Sequence, residues 1–199
     1  MERQPCVSPL TPHPSPLTPN ASPVMDFTQT HFELFGLPAT YMLDRAKLDA
    51  AYRELQNTVH PDRFASQPEA EQRVAMQWAT QVNEAYQTLR HPVNRGVYLL
   101  KLQGIDALDA NNTKMAPAFL MQQMEWREAI DDVRAGKSMH VLDALSDDLH
   151  AAHRRIEAQL VELIDTAHDY AGASEAVRQL RFMDKLIAEV GDVYEELES

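Results

Sequence analysis

Residues that break helices are scarce over most of this chain, and their scarcity limits the folds open to it. The chain has 199 residues, including 12 prolines and 6 glycines. Seven of the prolines lie within the first 24 residues, which leaves 5 prolines and 6 glycines for the remaining 175. A protein of many strands needs frequent tight turns, and these usually contain glycine or proline. The remainder of the chain is therefore predicted to be all-α.

The first 24 residues differ from the rest in composition. They are rich in Pro, Ser and Thr and show almost no hydrophobic periodicity. Such a segment cannot bury a core, so it is predicted to be a disordered or polyproline-like tail. It also lacks the long apolar run of a secretory signal. Met25 follows directly and is a candidate start codon, in which case residues 1–24 are not translated.

Composition argues against several functional classes. No run of about 18 apolar residues is present, so no membrane span is predicted. The single cysteine, Cys6, rules out a disulfide framework or a cysteine-rich metal site and is typical of a cytoplasmic protein. The net charge of −12 argues against general nucleic-acid binding. This charge is uneven, because residues 26–103 carry −1 and residues 104–199 carry −11, which suggests two units with different partners.

The first long helix of the chain is predicted to begin after Asp44 and to end before Pro61. Asp44 is a good N-cap, because its side chain can accept hydrogen bonds from the first backbone amides of a helix. Apolar residues then recur at helical spacing from Leu48 to Val59. Pro61 disfavours helical geometry at His60, so the helix is expected to stop there.

A second long helix is predicted to begin near Ser66 and to pack against the first. Ser66 and Glu69 have the spacing of a capping box. The predicted apolar face consists of Val74, Trp78, Val82, Tyr86 and Leu89. Pro92 is expected to close this helix, and a short helix should follow before Gly104. The first half is thus predicted to contain an antiparallel helical hairpin joined by a polar loop.

Three more helical patterns follow a polar, turn-like segment at residues 105–114. The first extends over about 117–134, and the second is predicted to continue from 138 to Tyr170, with Gly172 as its end. The third covers about 177–197. Because the connections are short, these helices are predicted to form an antiparallel three-helix bundle.

The loop between the first two long helices contains the tripeptide His60-Pro61-Asp62. It follows a helix with Tyr-Arg-x-Leu at 52–55 and precedes one that ends in Asn-Glu-Ala-Tyr-Gln-Thr-Leu at 83–89. The tripeptide alone is a weak signal, but with these flanking helices the arrangement resembles a J domain, the module that activates ATPase chaperones of the DnaK type.

The chain from Met25 onward resembles one J-domain family more narrowly, the HscB co-chaperones of iron–sulfur cluster assembly. The matching stretches are HFELFGLP at 31–38, HPDRFA at 60–65, LRHPVNRGVYLL at 89–100, AFLMQQMEWRE at 118–128 and RQLRFMDKL at 178–186. Ordinary J proteins do not continue with the last two. Composition and this resemblance together predict a tail at 1–24, a J domain at 25–103, a linker at 104–114 and a C-terminal three-helix domain at 115–199.

The resemblance also implies a function. The J domain would stimulate the ATPase of a specialised DnaK-type chaperone, HscA, and the C-terminal domain would deliver the iron–sulfur scaffold protein IscU to it. The chain itself would bind no nucleotide, cofactor or metal and would not be an enzyme. With one cysteine it would not ligate a cluster alone.

The expected ATPase-binding residues are His60, Pro61, Asp62, Arg53 and Arg63. Proline stiffens the loop, and the carboxylate of Asp62 can accept two hydrogen bonds from an arginine of the partner. His60 can help to hold the loop shape, and the two arginines could meet an acidic ATPase surface.

This loop departs from the usual J-domain pattern and also allows other interpretations. Residues 55–59 contain no Lys or Arg, so electrostatic steering towards the ATPase should be weaker than in a general J protein. The same His60 and Asp62 could merely form a helix-terminating turn, or could act as a general acid and base. The acid–base alternative lacks a convergent nucleophile, oxyanion donors or metal in the sequence.

A second surface is expected on the helix that begins near Pro117 and on the last helix. Leu120, Met121 and Met124 lie off the apolar stripe that contains Trp126, and Phe182 lies about 100° from Met183. The family resemblance implies that the scaffold is bound by Leu120, Met121, Met124, Glu125, Glu128 and Phe182. The alternative is that these apolar side chains pack between the bundle and the J domain.

Two other functions remain open at this point. A general J protein would bind many unfolded clients, whereas the scaffold hypothesis predicts one folded partner. A metal-binding bundle would use the Asp-x-x-His pairs at 147–150 and 165–168. Metal sites of that kind need their motifs on facing helices, and both pairs are predicted to lie on one helix, about 27 Å apart at 1.5 Å per residue, as solvated surface.

Overall fold

The computed structural model describes residues 27–64, 66–109, 114–136 and 138–198, so the predicted tail at 1–24 lies outside it. These ranges contain helices and turns but no β-strand, which confirms the all-α prediction. The seven α-helices that we number within them are α1 His31–Leu34, α2 Arg45–Val59, α3 Glu69–Arg90, α4 Pro92–Leu102, α5 Pro117–Gly136, α6 Met139–Val161 and α7 Tyr170–Glu198.

Helices α2 and α3 form the predicted hairpin. The N-cap prediction for Asp44 is confirmed, because its Oδ1 accepts hydrogen bonds from the amides of Ala46 (3.1 Å) and Lys47 (3.2 Å). Helix α2 buries Leu48 and Val59, and its outer face stays in solvent. A 3-10 turn, Pro61–Phe64, follows α2 and packs against α3.

The start of α3 differs from the prediction. The helix begins at Glu69 after an N-cap at Pro68 that makes no side-chain hydrogen bond, so the capping box with Ser66 is wrong. The buried face passes through Ala75 and Trp78, while Val74 is exposed. The prediction that Val74 belongs to the buried face is therefore wrong, and Ala75 takes that place.

The C-terminal bundle is built from α5, α6 and α7, but its second helix is shorter than predicted. Helix α6 ends at Val161, and a π-helical turn, Glu162–Thr166, follows it. His168 has a positive φ of 52°, which reverses the chain before α7 begins at Tyr170. The prediction that one helix reaches Tyr170 and ends at Gly172 is wrong, because Gly172 lies in the first turn of α7 and its amide is capped by Asp169 Oδ1 at 3.0 Å.

The two halves of the chain share one hydrophobic core. Helix α4 packs against α7 at Gly96, where a Cβ would lie 2.7 Å from Cγ2 of Val177. The amides of Tyr41 and Met42 donate to the carboxylate of Asp165, at 2.7 and 2.8 Å. The J-domain half is thereby fixed to the bundle by both packing and hydrogen bonds.

Part of the predicted linker at 104–114 is also fixed to the bundle. Arg178 of α7 donates from Nη1 to the carbonyl of Ala107 (3.2 Å) and from Nη2 to the carbonyl of Lys114 (3.1 Å). Ala107 is fully buried. Among the described residues, no helix is long and apolar enough to cross a membrane.

Candidate functional site

The loop with the sequence His-Pro-Asp is a compact turn at the end of the helical hairpin. His60 leaves α2 in an extended conformation, with φ −57° and ψ 127°, as expected for the residue before a proline. The backbone amide of Asp62 donates to Nδ1 of His60 at 3.3 Å. The same nitrogen lies 3.6 Å from Oδ2 of Asp62. The carboxylate of Asp62 itself is 90% exposed.

Arg63 fixes the loop to the end of α2. Its Nη1 donates to the carbonyl of Asn57 at 2.8 Å, and its amide donates to the carbonyl of His60 at 3.0 Å. The last carbonyls of a helix lack partners within the helix, and an arginine that follows can supply one. Arg53 lies on the exposed face of α2, where its Nε donates to the carbonyl of Asp49 at 3.0 Å. The structure thus brings Arg63 to the loop and leaves Arg53 farther back on the helix.

A polar and aromatic network below the loop joins α2 to α3. The rings of Tyr52 and Tyr86 stack with their centroids 3.9 Å apart. The hydroxyl of Tyr52 donates to Oδ1 of Asn83 at 2.8 Å, and Gln56 donates to the same oxygen. The hydroxyl of Tyr86 donates to Asp49 at 2.9 Å, and this hydrogen bond raises the pKa of Tyr86. The network fixes the hairpin that carries the loop.

In the sequence the two tyrosines stand out only as apolar positions at helical spacing, which does not reveal this network. Asn83 was visible only as part of the motif before Tyr86, and Gln56 was noted only as part of a stretch without Lys or Arg. The available signal was the spacing of Tyr52 and Gln56, which places both side chains on the same face of α2. In the structure Gln56 donates both to the hydroxyl of Tyr52 and to Asn83 on the neighbouring helix.

The second candidate surface is an exposed apolar face of α5, which we call the α5 patch and define as Leu120, Met121 and Met124. These side chains are 46%, 65% and 72% exposed, so they do not pack between the bundle and the J domain. Glu125 and Glu128 are exposed beside them, and Gln122 donates to Oε2 of Glu125 at 2.8 Å.

Phe182 lies at the edge of the α5 patch rather than within it. It is half-buried, and its ring makes an edge-to-face contact with Phe119 at a centroid distance of 6.1 Å. The guanidinium of Arg127 lies 5.4 Å from the centre of the Phe182 ring. Phe182 therefore helps to pack α7 against α5, and Arg127, which sequence analysis missed, covers one of its faces.

Helix α5 is held by its opposite face. Trp126, Ile130 and Val133 are buried there, and Nε1 of Trp126 donates to Oδ2 of Asp148 on α6 at 2.8 Å. The α5 patch is consequently presented on a helix whose orientation is fixed by core packing and by one partly buried hydrogen bond.

Residues of the two Asp-x-x-His pairs make hydrogen bonds with groups outside the pairs. Nδ1 of His150 lies 2.7 Å from the carbonyl of Ser146, and Nδ1 of His168 lies 2.9 Å from the carbonyl of Ile164. Asp165 is engaged by the amides of Tyr41 and Met42, so the prediction that this pair lies on solvated surface is wrong for Asp165. Within the described ranges, no three His, Cys, Asp or Glu side chains are grouped so that they could hold a metal ion.

Comparisons with known proteins match both halves of the chain. A family model described as a DnaJ domain matches residues 30–98, and one described as the HSCB C-terminal oligomerisation domain matches residues 115–191. The Co-chaperone protein HscB homolog of Burkholderia thailandensis is 55% identical over 175 residues, which cover 88% of this chain and 99% of the relative. The chain belongs to the HscB co-chaperone family. The HscB homolog of Burkholderia multivorans is 52% identical over 176 residues, with 88% of this chain and all of the relative covered.

Solved structures of HscB proteins share the fold. Chaperone HscB from Vibrio cholerae is 38% identical, has a TM-score of 0.75, and matches 85% of this chain and 99% of its own. Human co-chaperone protein HscB is 28% identical, has a TM-score of 0.78, and matches 84% of this chain and 83% of its own. The resemblance found in the sequence is confirmed, and the HscB family is one of co-chaperones rather than of catalytic enzymes.

The two family-model matches assign the two surfaces described above to different parts of the chain. The loop with His60 and Asp62 lies within the DnaJ domain match, and a J domain implies an ATPase partner of the DnaK type. The α5 patch and Phe182 lie within the match to the HscB C-terminal domain. The two candidate surfaces therefore belong to different modules of an HscB protein.

Proposed function

We propose that this chain stimulates ATP hydrolysis by the DnaK-type chaperone HscA and delivers the iron–sulfur scaffold IscU to it. The observation that supports this proposal best is the presence of two exposed surfaces of different chemistry on the two modules of one chain. One is the loop with the exposed carboxylate of Asp62. The other is the α5 patch.

The loop has the properties that docking on an ATPase requires. Asp62 presents a carboxylate to solvent, and a carboxylate can accept two parallel hydrogen bonds from one arginine. The backbone around it is fixed by His60 and Arg63, so little conformational entropy is lost when a partner binds. The last turn of α2 contains no basic residue, so association should depend on this loop more than on long-range attraction.

The α5 patch has the properties of a surface that recognises one folded protein. Methionine side chains adapt their shape to a partner, and a partner that covers them removes apolar area from water. Glu125 and Glu128 beside the patch add negative charge, which selects against acidic partners. We assign IscU to this surface, with Phe182 and Arg127 at its margin. We place this activity in the cytoplasm, where a chain with one cysteine is stable in reduced form.

The direct test of the loop is single-turnover ATP hydrolysis by HscA, with IscU and this protein added separately and together. We expect Asp62→Asn and His60→Gln to abolish the stimulation while IscU binding, measured by calorimetry, stays unchanged. Asp132→Asn is the matched control, because Asp132 is an exposed carboxylate on α5 whose loss alters net charge equally. Full stimulation by the Asp62→Asn and His60→Gln proteins would refute the assignment of the loop.

The direct test of the α5 patch is calorimetric titration with IscU. The combined change of Leu120, Met121 and Met124 to Ala should weaken binding by about tenfold or more, because a few apolar residues usually carry most of an interface's affinity. Met76→Ala with Val141→Ala is the matched control, since both side chains are exposed outside the patch. Unchanged IscU affinity, or comparable affinity for a denatured polypeptide, would favour a general J protein instead.

A further inference from the structure

A cavity of about 290 Å³ lies at the junction between the two halves of the chain. The J-domain half contributes residues 41–43, the first residue of α2 and the turn between α3 and α4, and the bundle contributes one face of α6. The lining residues that matter here are Tyr41, Arg45, Arg90, Arg95 and Glu157. Neither the loop with Asp62 nor the α5 patch contributes to this cavity.

The charge of the cavity is opposite to that of the chain. Three arginines, Arg45, Arg90 and Arg95, line it against one carboxylate, that of Glu157. The chain as a whole carries −12. A wall of this kind attracts an anion, and its concave shape concentrates the field of the arginines.

The central observation is that the guanidinium of Arg95 is buried without a carboxylate partner. It is only 7% exposed, and its Nη1 donates to the carbonyl of Leu89 at 2.7 Å. Its guanidinium carbon lies 4.8 Å from the centre of the Tyr41 ring. None of the ion pairs among the described residues includes Arg95, and its Nε has no hydrogen-bond partner there. Burial of such a cation is costly unless a counter-ion is close.

The acidic groups near Arg95 are already used by other partners. Oε2 of Glu157 lies 3.4 Å from Nδ1 of His153, and the carboxylate of Asp165 accepts from the amides of Tyr41 and Met42. Arg45 makes no ion pair among the described residues, and Arg90 lies over the ring of Tyr86. Positive charge around the cavity therefore exceeds the negative charge that the chain itself supplies there.

We propose that this cavity binds a small phosphate-bearing anion. Arginine is the side chain best matched to phosphate, because its planar guanidinium donates two parallel hydrogen bonds to one phosphate group. The cavity is larger than a phosphate ion, and Met42, Leu43 and Val161 give it an apolar wall. The site therefore fits either inorganic phosphate or a phosphate monoester whose organic group lies against that wall.

Binding at this place would hold the two halves of the chain together. Arg45, Arg90 and Arg95 belong to the J-domain half, whereas Glu157 and Val161 belong to α6. A phosphate monoester held by these arginines with its organic group against Val161 contacts both halves, so it binds only when they are packed together and stabilises that arrangement increasingly as its concentration rises.

The test uses the full chain, calorimetric titration and thermal unfolding, with inorganic phosphate and phenyl phosphate at constant ionic strength. We expect saturable binding and a rise in unfolding temperature. The double variant Arg45→Gln/Arg90→Gln should bind about a hundredfold more weakly, because each of the two lost charged hydrogen bonds carries roughly a factor of ten. Both residues are exposed, so circular dichroism should show an unchanged fold. Tighter binding of phenyl phosphate would identify a monoester as the ligand, and equal or tighter binding of inorganic phosphate would identify the free ion.

The matched control is Arg154→Gln/Arg155→Gln, which removes two exposed arginines of α6 that do not line the cavity. It should bind both probes like the original protein. Equal weakening in the control and the cavity variant would overturn the proposal, because it would show that only net charge matters. The absence of saturable heat with both probes would also overturn it.

Discussion

The loop with Asp62 and the α5 patch are held in place by different forces. The loop depends on hydrogen bonds, chiefly from Arg63 to the carbonyl of Asn57 and through the network below it. The α5 patch depends on burial of the opposite face of its helix, where Trp126 is fixed to α6. The difference teaches that small polar changes should affect the first surface most, whereas the second should be displaced mainly by the loss of core packing.

The two halves, for which different partners are proposed, also differ in net charge. The half with the loop is close to neutral, and the half with the α5 patch carries most of the net negative charge. Salt should therefore affect the two interactions to different extents, because screening weakens attraction and repulsion between exposed charges.

The largest effect is expected from Trp126→Ala, which tests whether core burial fixes the α5 patch. Removal of a buried tryptophan typically lowers the free energy of unfolding by about 3–5 kcal/mol. Urea unfolding should show this loss, and IscU binding should weaken although no patch residue has changed. Trp126→Phe keeps most of the apolar contact and should lose much less. Equal effects of the two changes would mean that the hydrogen bond to Asp148, and not burial, fixes α5.

Gly96→Ala tests whether the two halves depend on each other. The new Cβ would lie 2.7 Å from Cγ2 of Val177, and overpacking of this kind costs about 1–3 kcal/mol. The double change with Val177→Ala makes room for the new methyl group, so its effect should be smaller than the sum of the two single effects. Denaturant unfolding of the four proteins measures this coupling. Strict additivity would show that the halves do not press against each other at this point.

The change His153→Gln tests whether the stability of the acidic half depends on pH. Hydrogen bonds to Asp184 and Glu157 raise the pKa of His153 to about 9. Because the pKa of His153 is higher in the folded state, its protonation stabilises the fold. This stabilisation is complete below the unfolded-state pKa of about 6.5 and is lost as the pH rises through 9. His153→Gln should therefore cost about 1–2 kcal/mol at pH 6 and almost nothing at pH 10, since the partners are partly solvated.

Chemical unfolding of the original and the His153→Gln protein from pH 6 to pH 10 measures this difference. His150→Gln is the control, because the ring nitrogen of His150 is hydrogen-bonded to Ser146 of its own helix and no ion pair among the described residues includes His150. A cost for His153→Gln that stays constant over this range would contradict the proposed role of its charge.

The smallest effect is expected from Tyr86→Phe, which removes one hydrogen bond from the network below the loop. Loss of the bond to Asp49 should cost about 0.5–1.5 kcal/mol and should reduce ATPase stimulation while IscU binding is retained. Tyr194→Phe is the matched control in the other half, because it removes a 2.7 Å bond to Asp143. If both changes lowered stimulation equally, the loop would not depend on its own network.

Much of the hairpin could be predicted from the sequence, because its signals are local. Asp44 caps α2 by contacts within one turn, and Trp78 and its neighbours recur at helical spacing. The misplaced Val74 shows the limit of this reasoning. Val74 and Ala75 are adjacent and both apolar, and the structure buries the alanine while it leaves the valine exposed.

The end of α6 could not be predicted, because its cause is not local. No proline or glycine lies between residues 161 and 171, so the pattern favoured one continuous helix. The π-helical turn places Asp165 against the amides of Tyr41 and Met42, which are more than 120 residues away along the chain. By contrast, the sequence placed Leu120, Met121 and Met124 off the buried stripe of α5, and the choice between an exposed surface and packing against the J domain needed the fold, which leaves all three exposed.

The hydrogen bonds between Asp165 and residues 41 and 42 also determine the order in which parts of the chain can reach their final structure during synthesis. The two amides leave the ribosome before their acceptor has been made, because 124 and 123 residues separate the partners. At typical rates of synthesis this interval is roughly 6–25 seconds. During that time the N-terminal module must fold with this edge unpaired, and it acquires its final shape only when the end of α6 arrives.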